Sequence, residues 1–294
     1  MEASIMKSVK AYLYLLPALL VLSVFILYPM VKSFLMAFYT DYDYFTDEVN
    51  AYGFDNFVYL FHDSEFHQAL WNTFIFVLGV VPASIVLSLL IAMMLNSKIN
   101  FRGLFRTIYF IPFVTSVVAV SIVWRWIFHS DYGLFNYFLS FVGIDPIPWL
   151  TSAEWSMPAL IILSIWKGLG YNIIIFLAGL QNINENYYKA AQIDGANRWH
   201  RFINVTLPGL APTTFFVSII SIINGFKVFD EIYALFNGKA GIANSALTVV
   251  YYVFNKFYGE WEFGIASAAA YVLFIIIFIF TMIQLYIGKK KITY

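Results

Sequence analysis

The organisation of this chain is decided by two short stretches, Lys189-Ala190-Ala191-Gln192-Ile193-Asp194-Gly195-Ala196 and Val205-Thr206-Leu207-Pro208. They lie in a polar segment of about thirty residues between long apolar runs. Most helix–helix connections are shorter, about 2–8 residues. This segment also combines helix-forming residues with a glycine that can end a helix. The segment therefore predicts a folded loop that a partner protein binds, not a simple turn.

The bulk composition places the rest of the chain in a membrane. Hydrophobic residues make up 61% and charged residues 12% of the 294 positions, and the mean hydropathy is +0.76. That leaves too little polar surface to cover a soluble fold of this size. A formal net charge of zero argues against a nucleic-acid partner. The lack of cysteine excludes disulfides and thiolate metal sites.

Six apolar runs are long enough to cross a hydrocarbon core, which needs about 20 residues per helix. The runs do not alternate as barrel strands do, so helices are favoured. The first run is much longer than the apolar core of a signal peptide, about 7–15 residues, and is therefore predicted to be an uncleaved helix. We predict an all-α membrane protein with six transmembrane helices, at residues 11–39, 70–95, 107–128, 158–180, 213–235 and 264–287.

The distribution of Lys and Arg predicts which side each loop occupies, because basic residues are retained in the cytoplasm. Eleven of the seventeen basic residues fall in four segments that must share one side: Lys7, Lys10; Lys98, Arg102, Arg106; Lys189, Arg198, Arg201; Lys289, Lys290, Lys291. The segments 40–67 and 129–157 contain neither Lys nor Arg, and the first carries seven acidic residues, including Asp47. Both termini and the loop that contains Gly195 are therefore predicted to be cytoplasmic.

The remaining boundaries follow from these spans. Residues 1–10 and 288–294 form the cytoplasmic ends, and residues 70–287 form the transmembrane core, which includes the cytoplasmic loop 181–210. The extracytoplasmic loop 40–69 is long enough for a short interfacial helix, in which Phe54, Phe57 and Phe61 have helical spacing. Small residues at 264–270 favour close helix packing, either within the chain or against a second membrane subunit.

Charged residues inside apolar runs are candidates for function because they are costly in hydrocarbon. Lys167 lies in the fourth predicted helix, and Lys227, Asp230 and Glu231 lie in the fifth. The spacing of three and four residues allows Lys227 to neutralise both acids on one helix face. No catalytic or metal-ligating constellation is present, since the four histidines fall on opposite sides and no phosphate-binding loop is found.

The loop resembles the cytoplasmic EAA loop of the permease subunits of ATP-binding-cassette importers. The Ala-Ala pair and Asp-Gly-Ala match, and nine residues separate Gly195 from Val205-Thr206-Leu207-Pro208, as in the family. One position differs, because Lys189 stands where the family usually has Glu. Residues 12–286 further resemble the sugar-permease branch of type I importers, and the first (maltose, lactose and glycerol-phosphate type) permease of the pair. The matching stretches include Gly53-Phe54-Asp55-Asn56-Phe57, Trp71-Asn72-Thr73, Phe101-Arg102-Gly103 and the run from Phe226 to Tyr233.

The resemblance implies a pore subunit that imports an oligosaccharide together with partners. These are a second similar permease, two ATPase subunits that bind the ATP and Mg²⁺, and an extracytoplasmic solute-binding protein; the chain itself binds no cofactor. ATPase coupling is implied for Lys189, Ala190, Ala191, Asp194, Gly195, Ala196, Leu207 and Pro208. A sugar path is implied for Phe113, Trp166, Leu169, Gly170, Ile173, Ser221, Asn224, Gly225 and Val228.

Three alternatives remain open at this stage. A permease of the same family could carry a polyol or glycerol phosphate instead of a sugar. An ion-coupled secondary transporter would show inverted repeats and coupling-ion ligands, and an embedded enzyme would need convergent polar residues on one side. Neither pattern is visible in the sequence.

Overall fold

The computed structural model describes residues 2–46, 48–97 and 101–291, and most of them are helical. Asp47 and Lys98, which contribute to the charge pattern above, lie outside the described residues. The chain divides into two compact units. One comprises Met1–Ser64 with Val253–Val272, and the other comprises Glu65–Tyr252 with Leu273–Tyr294.

The first unit begins with a long apolar helix. Its elements are α1 (Glu2–Leu22), a π-helical turn (Ser23–Leu27), α2 (Tyr28–Met36), β1 (Tyr39–Asp43), β2 (Glu48–Tyr52) and α3 (Asp55–His62). The span Tyr12–Met36 has a mean hydropathy of 2.2, and none of its most apolar window is buried inside the chain. An apolar helix that its own chain leaves uncovered is typical of a segment that faces lipid.

A β-hairpin, which the sequence pattern did not predict, precedes the expected interfacial helix. Strands β1 and β2 pair antiparallel, and the Asp43 carboxylate accepts a hydrogen bond from the Phe45 N–H at 2.8 Å in the turn. The predicted helix is α3, and its Asn56 amide donates to the carbonyl oxygens of Ala37 and Tyr39 at 3.0 and 2.9 Å. These bonds fix α3 against the base of the hairpin.

The remaining helices have most of their residues in the second unit. They are α4 (Ser64–Asn96), α5 (Arg102–Val114), α6 (Val117–Ile127), α7 (Leu134–Ser140), α8 (Ala153–Asn182), α9 (Glu185–Ile193), α10 (Arg198–Arg201), α11 (Leu207–Gly209), α12 (Ala211–Phe226), α13 (Asp230–Leu235), α14 (Val249–Phe254) and α15 (Phe263–Lys291). Shorter helical turns occupy Phe202–Thr206, Ile242–Asn244 and Asn255–Gly259.

The small residues at the start of α15 pack within the chain. Ala266, Ser267, Ala268 and Ala269 are all buried. A Cβ added to Gly264 would lie 2.6 Å from the Tyr39 carbonyl oxygen. The buried residues of this stretch therefore serve internal packing, which was one of the two interpretations that the sequence allowed.

The core of the second unit lies between α4, α8 and α12. Its buried members are Leu89, Ala92, Leu95, Ile173, Phe176, Leu177, Leu180, Leu210 and Val217. Helix α8 also packs closely on α5, because a Cβ added to Gly170 would lie 2.1 Å from the Tyr109 carbonyl oxygen. This contact requires a residue without a side chain at position 170.

Four helices are long and apolar enough to cross a membrane: Tyr12–Met36, Ser64–Asn96, Ala153–Asn182 and Phe263–Lys289. Two bent pairs bring the number of candidate spans among the described residues to six if each pair counts as one: Gly103–Val114 with Val117–Ile127, and Arg198–Gly209 with Ala211–Phe226. The pairs bend by 100° and 62°.

The predicted helix over residues 107–128 is interrupted. Thr115 and Ser116 have extended backbone, with ψ angles of 145° and 130°, and separate α5 from α6. Pro112 removes one helical N–H donor in the last turn of α5. The Thr115 hydroxyl and the Thr115 N–H both donate to the Ile111 carbonyl, at 2.7 and 3.1 Å, and form the last bonds of α5.

The predicted helix over residues 213–235 is also interrupted. Helix α12 ends at Phe226, and α13 begins at Asp230 after a non-helical Phe229 with φ −148° and ψ −55°. The break leaves the Val228 carbonyl outside the ladder, and the Thr248 hydroxyl donates to it at 3.0 Å. A hydroxyl far away in the sequence therefore satisfies the backbone at the break.

Candidate functional site

The loop between α8 and α12 contains a short helix with chemically defined ends. The Asn184 side chain accepts a hydrogen bond from the Asn186 N–H at 2.9 Å and caps α9. At the other end, Gly195 has a φ of +76°, where residues with a side chain are disfavoured. Its N–H bonds the Gln192 carbonyl at 3.1 Å, and the Ala196 N–H bonds that of Ala191 at 2.9 Å. This pair of bonds is a Schellman motif.

The second half of the loop returns the chain to the membrane-spanning helices. Asn197 caps α10 by accepting from the His200 N–H at 2.9 Å. The Tyr188 hydroxyl of α9 and the Thr206 hydroxyl lie 3.0 Å apart in a hydrogen bond. The two halves of the loop are thus tied together by side chains as well as by the backbone.

The coupling residues predicted from the sequence are distributed around this loop. Ala190, Ala191, Asp194 and Pro208 line an open hollow of about 870 Å³. Ala196 lies in the Schellman turn, and Leu207 is exposed at the start of α11. Lys189 faces the preceding turn of α9, where its Nζ lies 3.6 Å from a Glu185 carboxylate oxygen. In this chain the unusual Lys therefore has a local acidic neighbour.

The loop exposes large apolar side chains. Ile193 is 87% exposed, and Trp199 and Tyr187 are 64% and 65% exposed. Ile193 stands at the end of α9, directly before the Schellman turn. Exposed apolar side chains of this size on a polar loop are typical of a site that a partner covers.

A cavity of about 270 Å³ with a mixed polar and apolar lining lies within the second unit. It is lined from five helices and the break after α12 by Phe76, Val80, Ser84, Phe113, Ser164, Lys167, Gly168, Tyr171, Asn172, Ile220, Ser221, Asn224, Gly225, Lys227, Val228, Phe229, Asp230 and Glu231. The rings of Phe113 and Tyr171 are stacked, with centroids 5.1 Å apart. The cavity combines aromatic faces, amides, hydroxyls and charges.

The ion pair in this cavity differs from the one that the sequence predicted. The Lys167 ammonium lies 3.4 Å from a Glu231 carboxylate oxygen, and both side chains are mostly buried. The predicted pairing of Lys227 with Asp230 and Glu231 is wrong, because the helix breaks between them and they do not share a helical face. Among the described residues, Lys227 has no ion pair within 4 Å and remains a cation beside the cavity.

The nine residues that the sequence assigned to a sugar path occupy two kinds of position. Five of them line the cavity: Phe113, Ser221, Asn224, Gly225 and Val228. The other four lie on α8 outside that lining. Ile173 and Leu169 pack in the core, and Gly170 is in contact with α5. The Trp166 ring meets Trp124 edge to face at 5.4 Å.

Apart from Lys167, the polar face of α8 was missed by the sequence interpretation, although a signal was present. Ser164, Lys167, Gly168, Tyr171 and Asn172 follow one another at the spacing of a single helix face. All of them line the cavity. A polar stripe on an otherwise apolar span predicts a surface turned away from lipid, and this criterion would have found them.

Comparisons with known proteins show relatives that match this chain over both the loop and most of the cavity. A family model described as "Binding-protein-dependent transport system inner membrane component" matches residues 84–293. The chain is 39% identical over 287 residues to the lactose transport system permease protein LacF of Rhizobium radiobacter, covering 96% of this chain and 95% of that protein. It is 37% identical over 281 residues to the arabinooligosaccharides transport system permease protein AraP of Bacillus subtilis (strain 168), covering 95% and 88%.

A solved structure is similar along almost the whole chain. It is the bacterial alginate ABC transporter in complex with an alginate pentasaccharide-bound periplasmic protein. The matched chain is 27% identical, with a TM-score of 0.84, and the alignment covers 100% of this chain and 98% of that one. The family match includes the entire loop and most of the residues that line the cavity.

Proposed function

Because the chain belongs to the binding-protein-dependent transport system inner membrane components, a family of transport subunits and not enzymes, we propose that it forms half of the pore of an ATP-driven carbohydrate importer. A second, similar permease completes the pore, and a solute-binding protein delivers the substrate from outside. Two separate ATPase subunits bind ATP and Mg²⁺. The solved relative was determined with a periplasmic protein that carries a saccharide, which supports this assembly.

One observation carries the coupling role: the loop is folded on its own hydrogen bonds and still exposes Ile193 and Trp199. A loop that only connected two helices would not need both features. We infer that a groove of one ATPase subunit covers this apolar surface. The hollow of about 870 Å³ beside the loop then lies at the edge of that contact; it is lined by residues 190, 191, 194 and 208, among others.

The loop is mechanically connected to the cavity. Helix α8 enters the loop and α12 leaves it, and residues of both helices line the cavity. The hydrogen bond between Tyr188 and Thr206 links the two halves of the loop. A displacement of the loop by the ATPase therefore moves both helices together, which is the rigid-body movement that alternating access requires.

The cavity suits a saccharide. Stacked Phe113 and Tyr171 offer ring faces, and Asn172, Ser221 and Asn224 offer hydrogen-bonding groups. The volume of about 270 Å³ is close to the lower end of small-molecule pockets, about 300–1,000 Å³. In the assembled pore the second permease would complete the site. The relatives named for lactose and arabinooligosaccharides support a carbohydrate over a polyol or glycerol phosphate.

The charges in the cavity favour a neutral saccharide. Lys167 and Lys227 are balanced by Asp230 and Glu231, so the lining carries no formal net charge. A cavity that stabilised an acidic saccharide would need an excess of cations to compensate for desolvation. We therefore expect neutral oligosaccharides to be transported in preference to uronates.

We propose that both termini and the coupling loop face the cytoplasm of a bacterial or archaeal cell, in whose plasma membrane the chain spans six times. The bias of Lys and Arg supports this orientation. Each bent helix pair then counts as one span.

Reconstitution of the complete transporter tests the function. Proteoliposomes that contain the chain and its partners are supplied with a panel of radiolabelled neutral and acidic saccharides, and also with glycerol phosphate. Uptake should require internal ATP and should persist when ionophores dissipate ion gradients. Uptake that ignored ATP and stopped with the ionophores would support an ion-coupled carrier and refute the proposal.

A further inference from the structure

A second, basic pocket lies beside the coupling loop. It has a volume of about 250 Å³ and is lined by Met93, Tyr188, Arg198, Arg201, Phe202 and Thr206. Met93 belongs to the last turn of the apolar helix α4, and the other residues belong to α9, α10 and the π-helical turn that follows it. The pocket thus lies between the end of the apolar helix α4 and the polar coupling loop, which follows α8 in the chain.

The pocket has cations without matching anions. Two arginines line it, and no Asp or Glu is among its lining residues in the described part of the chain. Three lysines of the chain have acidic partners: Lys167 with Glu231, Lys189 with Glu185 and Lys256 with Glu260. Among the described residues neither Arg198 nor Arg201 forms an ion pair within 4 Å. The Arg201 Nε atom is buried and has no hydrogen-bond partner there.

An unpaired guanidinium that is partly buried loses hydration without compensation, so a bound anion would stabilise it. The two arginines are three residues apart on the same helical turn, which allows both to reach one ligand. Guanidinium groups bind tetrahedral phosphate oxygens through parallel N–H donors better than they bind spherical ions. The chemistry therefore favours a phosphate group.

We propose that the pocket binds a phosphate group, supplied by the headgroup of an anionic phospholipid or by a soluble phosphate compound, a role that goes beyond carbohydrate import. Met93 lies in the last turn of an apolar span, and basic pockets at the ends of such helices bind lipid headgroups.

Occupancy of the pocket would affect coupling. A phosphate held by Arg198 and Arg201 lies against Met93 of α4 and Tyr188 of α9. It would clamp the loop to a transmembrane helix and limit the orientations that the loop samples. The bound lipid or phosphate would then set how efficiently a movement of the ATPase subunit is transmitted to the helices of the pore.

The test compares the intact transporter complex with an R198Q/R201Q variant. Native mass spectrometry counts retained phosphatidylglycerol and phosphatidylcholine, and thermal unfolding is followed in detergent with added phosphatidylglycerol or inorganic phosphate. Each charge-assisted contact contributes about tenfold to the binding affinity. We therefore expect the variant, which lacks both, to lose at least about tenfold in phosphatidylglycerol affinity. The controls are R198K/R201K, which keeps both charges and reports on folding, and K239Q, which removes an exposed charge outside the pocket.

The arms of the experiment separate the sources. Selective loss of phosphatidylglycerol binding in R198Q/R201Q, with K239Q unchanged, supports a lipid headgroup. Stabilisation of the wild type by inorganic phosphate alone, lost in the same variant, supports a soluble phosphate compound. Equal binding of both probes in the wild type and R198Q/R201Q overturns the proposal. So does a variant that only loses its ATPase subunits, because the arginines would then serve that protein partner.

Discussion

Replacement of Gly195 tests whether the turn at the end of α9 transmits force. Gly195 has a φ of +76°, and a Cβ added there would meet nothing within 4 Å in the described chain. The cost of a side chain within the chain is therefore conformational and not steric. For a residue other than glycine it is about 1–2 kcal/mol. This free energy lowers the population of the correctly capped loop by about 5- to 30-fold relative to frayed states.

Two substitutions of similar size separate the backbone effect from the contact with the ATPase. Gly195→Val carries the full conformational penalty because its side chain is β-branched, whereas Asn adopts positive φ far more readily. We expect Gly195→Val to lose most of the ATP hydrolysis that the loaded binding protein stimulates, and Gly195→Asn to retain much of it. The assay measures ATPase retention and stimulated hydrolysis in the purified complex.

Lys189→Glu is a control in the same helix. Both members of its pair with Glu185 are largely exposed, and two like charges at this spacing cost only about 0.2–0.5 kcal/mol. Its effect should therefore be smaller than that of Gly195→Val. Equal loss in the Val and Asn variants would show that the ATPase groove excludes any side chain, so the conformational reasoning would be wrong. Normal stimulated activity in both would refute the coupling assignment.

Three further predictions concern the spans. Lys167→Met should lower the amount of assembled complex by leaving the Glu231 carboxylate without its cation, a cost of about 1–3 kcal/mol, and adding Glu231→Gln should restore assembly. Gly170→Val should abolish assembly, because its Cβ would lie 2.1 Å from a carbonyl oxygen of α5. A single cysteine in place of Asp145 should react with an impermeant maleimide in intact cells. A single cysteine in place of Arg198 should react only after the membrane is permeabilised.

Each of these has a contradicting result. If the double variant at 167 and 231 assembles no better than Lys167→Met, the ion pair does not explain the loss. Gly168→Ala, where an added Cβ meets nothing within 4 Å in the described chain, should assemble normally and is the control for Gly170. Labelling of position 198 from outside intact cells would invert the proposed orientation.

Local chemistry made much of the fold readable from the sequence. Long apolar runs predicted helices because a buried backbone in lipid must satisfy its own hydrogen bonds. The helix in the coupling loop lies at Glu185–Ile193 and ends before Gly195, the glycine that the sequence indicated as a helix end, because its start and stop signals, Asn184 and Gly195, act within one turn. The hairpin before α3 was missed because the segment 39–52 carries neither strict alternation nor a glycine turn.

What the sequence determined by itself is therefore the membrane class, the helical runs and the loop whose caps are local. Only the tertiary structure decided where the spans break and which charges meet. The Val228 carbonyl, which the break leaves outside the helix, accepts a hydrogen bond from the Thr248 hydroxyl. Lys167 of α8 pairs with Glu231 of α13. The physical reason is distance along the chain. Periodicity and capping depend on neighbours within a few residues, whereas the partner of a buried charge or carbonyl is selected by packing between helices that the local pattern does not encode.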